Sequence, residues 1–135
     1  MFAIKAPISQ PDADTHVFSD QKTMYGGKTI AAGDLIYLFA SENEGGLGLV
    51  ACGRVTAVTT TPSQAGLARQ TPRVSIHVQR SALAQRHLGR ADLRPWSNWA
   101  DGRPETELNF KFYRQATNKI VGISDHAAAF LQRHF

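Results

Sequence analysis

Asp34-Leu35-Ile36-Tyr37-Leu38-Phe39-Ala40, entered through the turn signal Ala31-Ala32-Gly33, is almost wholly apolar. An unbroken apolar run of this length reads as a strand covered on both faces. Downstream, past the glycine-rich stretch Glu44-Gly45-Gly46-Leu47-Gly48, the run Leu49 to Thr59 is rich in β-branched residues and carries Gly53, a residue suited to a bulge or bend. The two runs predict an antiparallel hairpin. Further on, Pro72 to Arg80 alternates, with Val74, Ile76 and Val78 on one face and Arg73, Ser75, His77 and Gln79 on the other, as in a half-buried strand. Between them, Thr60 to Thr71 predicts a long surface loop.

Working outward, Met1 to Ile4 can form an initial strand and Ser19 to Tyr25 a short helix or loop. Ser81 to Leu88 reads as a short helix capped by Ser81 and closed by Gly89. Arg90 to Glu107 is irregular, Phe110 to Arg114 and Lys119 to Ile123 are strand-like around a turn at residues 116–118, and Ser124 caps a C-terminal amphipathic helix. Five to six mainly antiparallel strands with short peripheral helices and no βαβ rhythm predict an α+β bent barrel. At 135 residues, 42% hydrophobic, one domain over 1–135 is expected, with no linker or internal repeat.

Charge is unevenly spread. Residues 1–50 carry three basic and six acidic side chains, a net −3, and residues 51–135 carry twelve against five, a net +7. No acid stands between Glu44 and Asp92, where Arg54, Arg69, Arg73, Arg80, Arg86 and Arg90 accumulate without a lysine. Guanidinium forks suit phosphate, so Arg54, Arg73, Arg80, Arg86 and Arg90 are candidate phosphate contacts and DNA or RNA the expected partner. The alternative is a solvated face balanced by the acidic N-terminal third.

Catalytic and metal motifs do not assemble. Gly26-Gly27-Lys28-Thr29 lacks the first glycine of a P-loop, the five histidines form no HxH or HExxH pair, and Cys52 sits in an apolar strand where packing is its role. No cofactor, metal or catalytic residue is therefore assigned. One cysteine, no apolar run of membrane length and no signal sequence lead to the expectation of a cytoplasmic protein without a membrane partner. What remains is aromatic: Trp96 and Trp99 stand in the irregular segment beside Arg94, Ser97, Asn98 and Arg103. Flat rings with polar neighbours are what a pocket for a flipped base requires, although two indoles can equally cap a core. Phe18 and Tyr25 are further candidates.

The residues Ile30 to Ser41, then Gly48 to Val55, together with Phe110 to Gln115 and Ile120 to Ser124, resemble the PUA-like superfamily and within it most nearly the EVE domain family. The two matching blocks, near 30–55 and 108–135, cover about 40% of the chain. The resemblance implies a bent barrel whose pocket, beside the central strands, accepts a modified base in DNA or RNA, as EVE and the similar YTH domains are associated with doing. On it the ligand-binding set becomes Trp96, Trp99, Ser41, Phe18, Tyr25, Lys28 and Arg114. The sequence departs from the EVE pattern near its start, where Phe2, His16 and Phe18 stand instead of a tryptophan. The neighbouring ASCH amidohydrolases of acylated cytidine supply the alternative function; of their Gly-x-Lys-x-x-Glu core, Lys28 and Thr29 are present and Ala31 replaces the acid. A protein-interaction domain is the third reading.

Overall fold

The computed structural model describes residues 1–61, 72–115 and 118–135. Six strands, β1 (Phe2–Ala6), β2 (Thr15–Met24), β3 (Leu35–Ala40), β4 (Gly48–Thr61), β5 (Arg73–Leu83) and β6 (Lys119–Gly122), close a barrel in the order β1-β3-β4-β5-β2-β6. The β3–β4 hairpin forms as expected, with Leu35 opposite Arg54 and Tyr37 opposite Cys52. Closure comes from two parallel pairings, β1 with β3 and β2 with β6, and from antiparallel β1 with β6. Gly53 does mark a bend: the β4–β5 register shifts between Cys52 and Gly53, where a Cβ would lie 2.3 Å from the Gln79 carbonyl oxygen.

The apolar strands are covered on both faces because the barrel has two cores. Ile4, Phe18, Ile36, Leu38, Val55, Val74, Ile76, Val78 and Ile120, drawn from all six strands, fill its interior. Their alternating neighbours Ala3, Tyr37, Phe39, Cys52 and Val121 face outward, under Leu93 of α1 (Arg90–Leu93), Leu108 of α2 (Pro104–Asn109) and Ala127, Ala128 and Leu131 of α3 (Asp125–Gln132). Phe112 completes this outer layer, its ring 4.7 Å from that of Phe39. The α3 start is the one predicted: Ser124 Oγ accepts the Ala127 N–H.

Four local readings are corrected. Ser81 to Leu83 belong to β5, since Ala82 pairs with Cys52 and Leu83 with Ala51, and the Ala84 N–H continues the ladder to the Val50 carbonyl. A cross-strand partner outweighs a local cap signal. Ser19 to Met24 are strand as well, hidden by a bulge at Asp20 (φ 52°) that interrupts the alternation after Phe18. The segment 90–107 is less irregular than expected, holding α1 and the first turns of α2, with Pro104 at a first-turn position that needs no N–H. Phe110–Gln115 is a π-helical turn continuing α2, because Leu108 and Phe112, four apart, are both driven into the outer core. The expected 60–71 loop lies mostly outside the described residues, and Thr60 and Thr61 are the last ladder residues of β4.

Candidate nucleic-acid interface

A pocket of about 250 Å³ opens beside α2, lined by Trp99, Gly102, Arg103, Thr106, Glu107, Phe110 and Lys111. Its volume is below the roughly 300–1,000 Å³ of pockets for drug-sized ligands, the scale of one flat ring system. Asp101 braces two of the lining residues: its carboxylate accepts from the Arg103 N–H at 3.0 Å and the Thr106 hydroxyl at 3.0 Å, and these bonds, the backbone one foremost, hold its pKa below the usual carboxylate range. Across the pocket, Phe110 meets Trp99 edge-on with centroids 5.3 Å apart, and the Arg114 guanidinium lies 5.2 Å from the same indole.

Glu107 forms the polar wall. It accepts from Lys111 Nζ at 3.1 Å, the Ser124 N–H at 2.9 Å and the Ser124 hydroxyl, tying α2 to the start of α3. Burial pushes its pKa up, but the Ser124 and Lys111 bonds outweigh burial and leave the carboxyl below its ordinary value. Three of about four carboxylate lone-pair sites are thus used and one remains. Lys111 also donates to the Gly122 carbonyl at 2.8 Å and sits 4.8 Å from the Tyr25 ring. An open indole, a fixed acceptor and flanking cations can stack a base, accept from an exocyclic amino group such as cytosine N4, and approach a phosphate.

The structure brings together Trp99 and Arg114, with Tyr25 next to Lys111, all on or beside this pocket. Trp96 is half-buried under Arg103, its carbonyl accepting from Asn109 Nδ2 at 3.0 Å, and it does not line the pocket. Phe18, a ligand-binding candidate from the sequence, is corrected: its ring lies in the barrel interior, 6% exposed and stacked on His16, away from the pocket. Ser41 is buried at the end of β3, its backbone bound to Ala6, Glu44 and Gly46. Lys28 is exposed on a 3₁₀ turn, Gly27–Thr29, and no carboxylate among the described residues pairs with it; Thr29 Oγ1 bonds the Gly26 carbonyl. The Lys–Thr–acid constellation of an amidohydrolase does not form at this position.

The arginines scatter. Arg80 pairs with Asp14 at 3.0 Å and donates to the Ala13 carbonyl. Arg54 reaches the Gly33 carbonyl, Arg86 the Arg133 carbonyl, and Arg90 the Asn43 side chain. Arg73 joins Lys22, Lys119, Asp20 and Asn118 around a polar pocket of about 560 Å³ at the β2 bulge. Arg69 lies outside the described residues. Residues missed by the sequence reading are Glu107, Phe110 and Lys111, because the aromatic run from Phe110 to Arg114 reads as a strand and hides the helical spacing that joins it to Glu107.

No family model matches the chain, and neither does any curated protein. Solved structures do. The DUF55 domain of human thymocyte nuclear protein 1 superposes with a TM-score of 0.66 over 98% of this chain and 96% of that one, at 14% identity. The human THYN1 protein in complex with 5-methylcytosine-containing DNA gives 0.63 over 98% and 95%, at 13% identity. The chain has their fold, a closed six-strand barrel under short helices. A Pseudomonas syringae protein shares this barrel, with a TM-score of 0.61 at 14% identity over 99% of both chains. At such identities the likeness is one of fold, and it bears out the bent barrel expected from the five to six strands along the chain. Among the described residues no group of histidine, cysteine, aspartate and glutamate is placed to hold a metal, and no helix is long and apolar enough to cross a membrane.

Proposed function

We propose that the protein is a single nucleic-acid-binding module that recognises a modified base, with the pocket beside Trp99 receiving the base. The observation that carries this reading is the pocket itself: an indole 42% exposed beside a half-buried carboxylate that keeps one acceptor site and a guanidinium that backs the ring. An indole face left this open is available to stack on a base. The same barrel in the THYN1 protein was solved with 5-methylcytosine-containing DNA, which supports DNA as the polymer and a cytosine derivative as the base. Glu107 would accept from the N4 amino group, Trp99 would stack, and Arg103 and Arg114 would meet the flanking phosphates. The free, buried Cys52 fits the reducing cytoplasm expected for it.

The test is a binding panel of short oligonucleotides, single- and double-stranded, each with one modified or unmodified base, measured at several salt concentrations. The reading predicts preference for one modification over its parent base and an affinity that falls with salt. Equal affinity across the panel would refute base recognition, and no binding at low salt would refute the module.

A further inference from the structure

Lys5 has no role in the Trp99 pocket, yet it is the most deeply buried charge described. Ile4 and Ala6 face the barrel interior and Ala3 the outer layer, so alternation turns Lys5 outward, beneath the Phe110–Gln115 turn. It is 1% exposed, and its ammonium lies 4.4 Å from the centroid of the Tyr113 ring. Among the described residues it has neither a hydrogen-bond partner nor an ion pair. Glu42, the nearest acid by its electrostatic effect, is engaged elsewhere: its oxygens accept from the Tyr113 hydroxyl at 2.9 and 3.1 Å and from the Arg90 N–H at 2.6 Å. The Arg90 guanidinium stands 5.6 Å from the same ring. Burial lowers the Lys5 pKa, Glu42 opposes and Arg90 adds to the effect.

Taking an ammonium out of water costs more than one aromatic face returns, so buried charges are as a rule paired. We propose that Lys5 is a ligand-binding group, its ammonium donating to an oxygen of the bound nucleic acid, either a base carbonyl or a phosphate oxygen. The site lies where the ends of β1 and β3 meet the Phe110–Gln115 turn. This rests on the nucleic-acid-binding reading, and one element links the two places: Phe110 and Lys111 line the Trp99 pocket while Tyr113 covers Lys5.

The experiment compares wild type with Lys5→Met, an apolar side chain of similar length, in melting temperature and in oligonucleotide affinity across salt. A melting temperature unchanged or raised, with affinity reduced about tenfold or more, is expected for the loss of one charge-assisted hydrogen bond to ligand. A salt slope smaller by about one identifies phosphate as the source of the oxygen; an unchanged slope with lost discrimination between bases identifies a base carbonyl. Unchanged affinity in folded Lys5→Met overturns this proposal alone, whereas a wild type that binds no oligonucleotide overturns the parent reading and this with it. Should Lys5→Met fail to fold, the side-chain nitrogen resonance of Lys5 in the wild type decides: it must shift on saturation with oligonucleotide, and an unmoved signal overturns the assignment.

Discussion

Replacing Trp99 by alanine separates stacking from packing, because the two consequences differ in size and in assay. Trp99 is 42% exposed, so a little more than half its surface is covered, chiefly by Phe110 and Arg114. A tryptophan can bury about 150–250 Å². Half of that at about 25 cal/mol per Å², reduced for a compact unfolded state, is about 2 kcal/mol of folding stability. For a chain of this length that lowers the melting temperature by roughly 5–10 °C. Against ligand, loss of one stacked base costs about 1–3 kcal/mol, a factor of about 5 to 150 in Kd. Isothermal titration at 15 °C, where the variant is still folded, reads the second effect free of the first. Trp99→Phe keeps a ring and should recover most of the affinity, while Trp96→Ala, outside the pocket, should change Kd less than about threefold. An affinity for Trp99→Ala within about twofold of wild type would refute the assignment of the stacking surface.

Three further outcomes follow from the structure. Gly122→Ala places a Cβ 2.2 Å from the Tyr25 carbonyl oxygen, and since backbone cannot yield cheaply the variant should lose about 1–3 kcal/mol in urea denaturation; an unchanged midpoint would contradict the close approach. His16 is 9% exposed with Nε2 unpartnered, and burial holds its pKa below 6.5. The unfolded chain therefore takes up a proton that the folded one resists, stability declines as pH falls from about 6.5, and His16→Leu should flatten that decline in urea midpoints at pH 7 and pH 5. Glu107, with its folded pKa lowered, contributes stability that is present above its ordinary pKa and lost as pH falls through the lower folded value. Glu107→Gln should cost about 1–2 kcal/mol at pH 7, with the difference from wild type shrinking in acid; a pH-independent difference would show that the charge is not what matters.

The barrel was legible in the sequence where burial is two-sided or cleanly alternating. Leu35 to Ala40 and Val74 to Val78 announce themselves because each side chain's environment repeats with the period of the strand. Legibility failed where a partner distant in sequence decided the outcome. Ser81 looks like a cap until Cys52 and Ala51 are known to lie opposite the next two residues, and Phe110 to Arg114 looks like a strand until α2 is seen to feed into it. The site followed the same division. Two indoles in a proline- and glycine-containing segment could be singled out from type and context, and Trp99 does line a pocket. Glu107 and Lys111 could have been found as an i,i+4 ion pair. Lys5 carries no local signal, since what distinguishes it is the Tyr113 ring more than 100 residues away in sequence.

The most direct test of base recognition at the Trp99 pocket uses an oligonucleotide carrying one ¹³C-methyl 5-methylcytosine, followed by NMR through a titration with the protein. Insertion into the pocket predicts an upfield shift of the methyl resonance under the aromatic rings and nuclear Overhauser contacts from it to Trp99 and Phe110, both lost in Trp99→Ala. A methyl resonance that keeps its free position while the oligonucleotide is saturated with protein, or one that contacts other residues, would contradict the account.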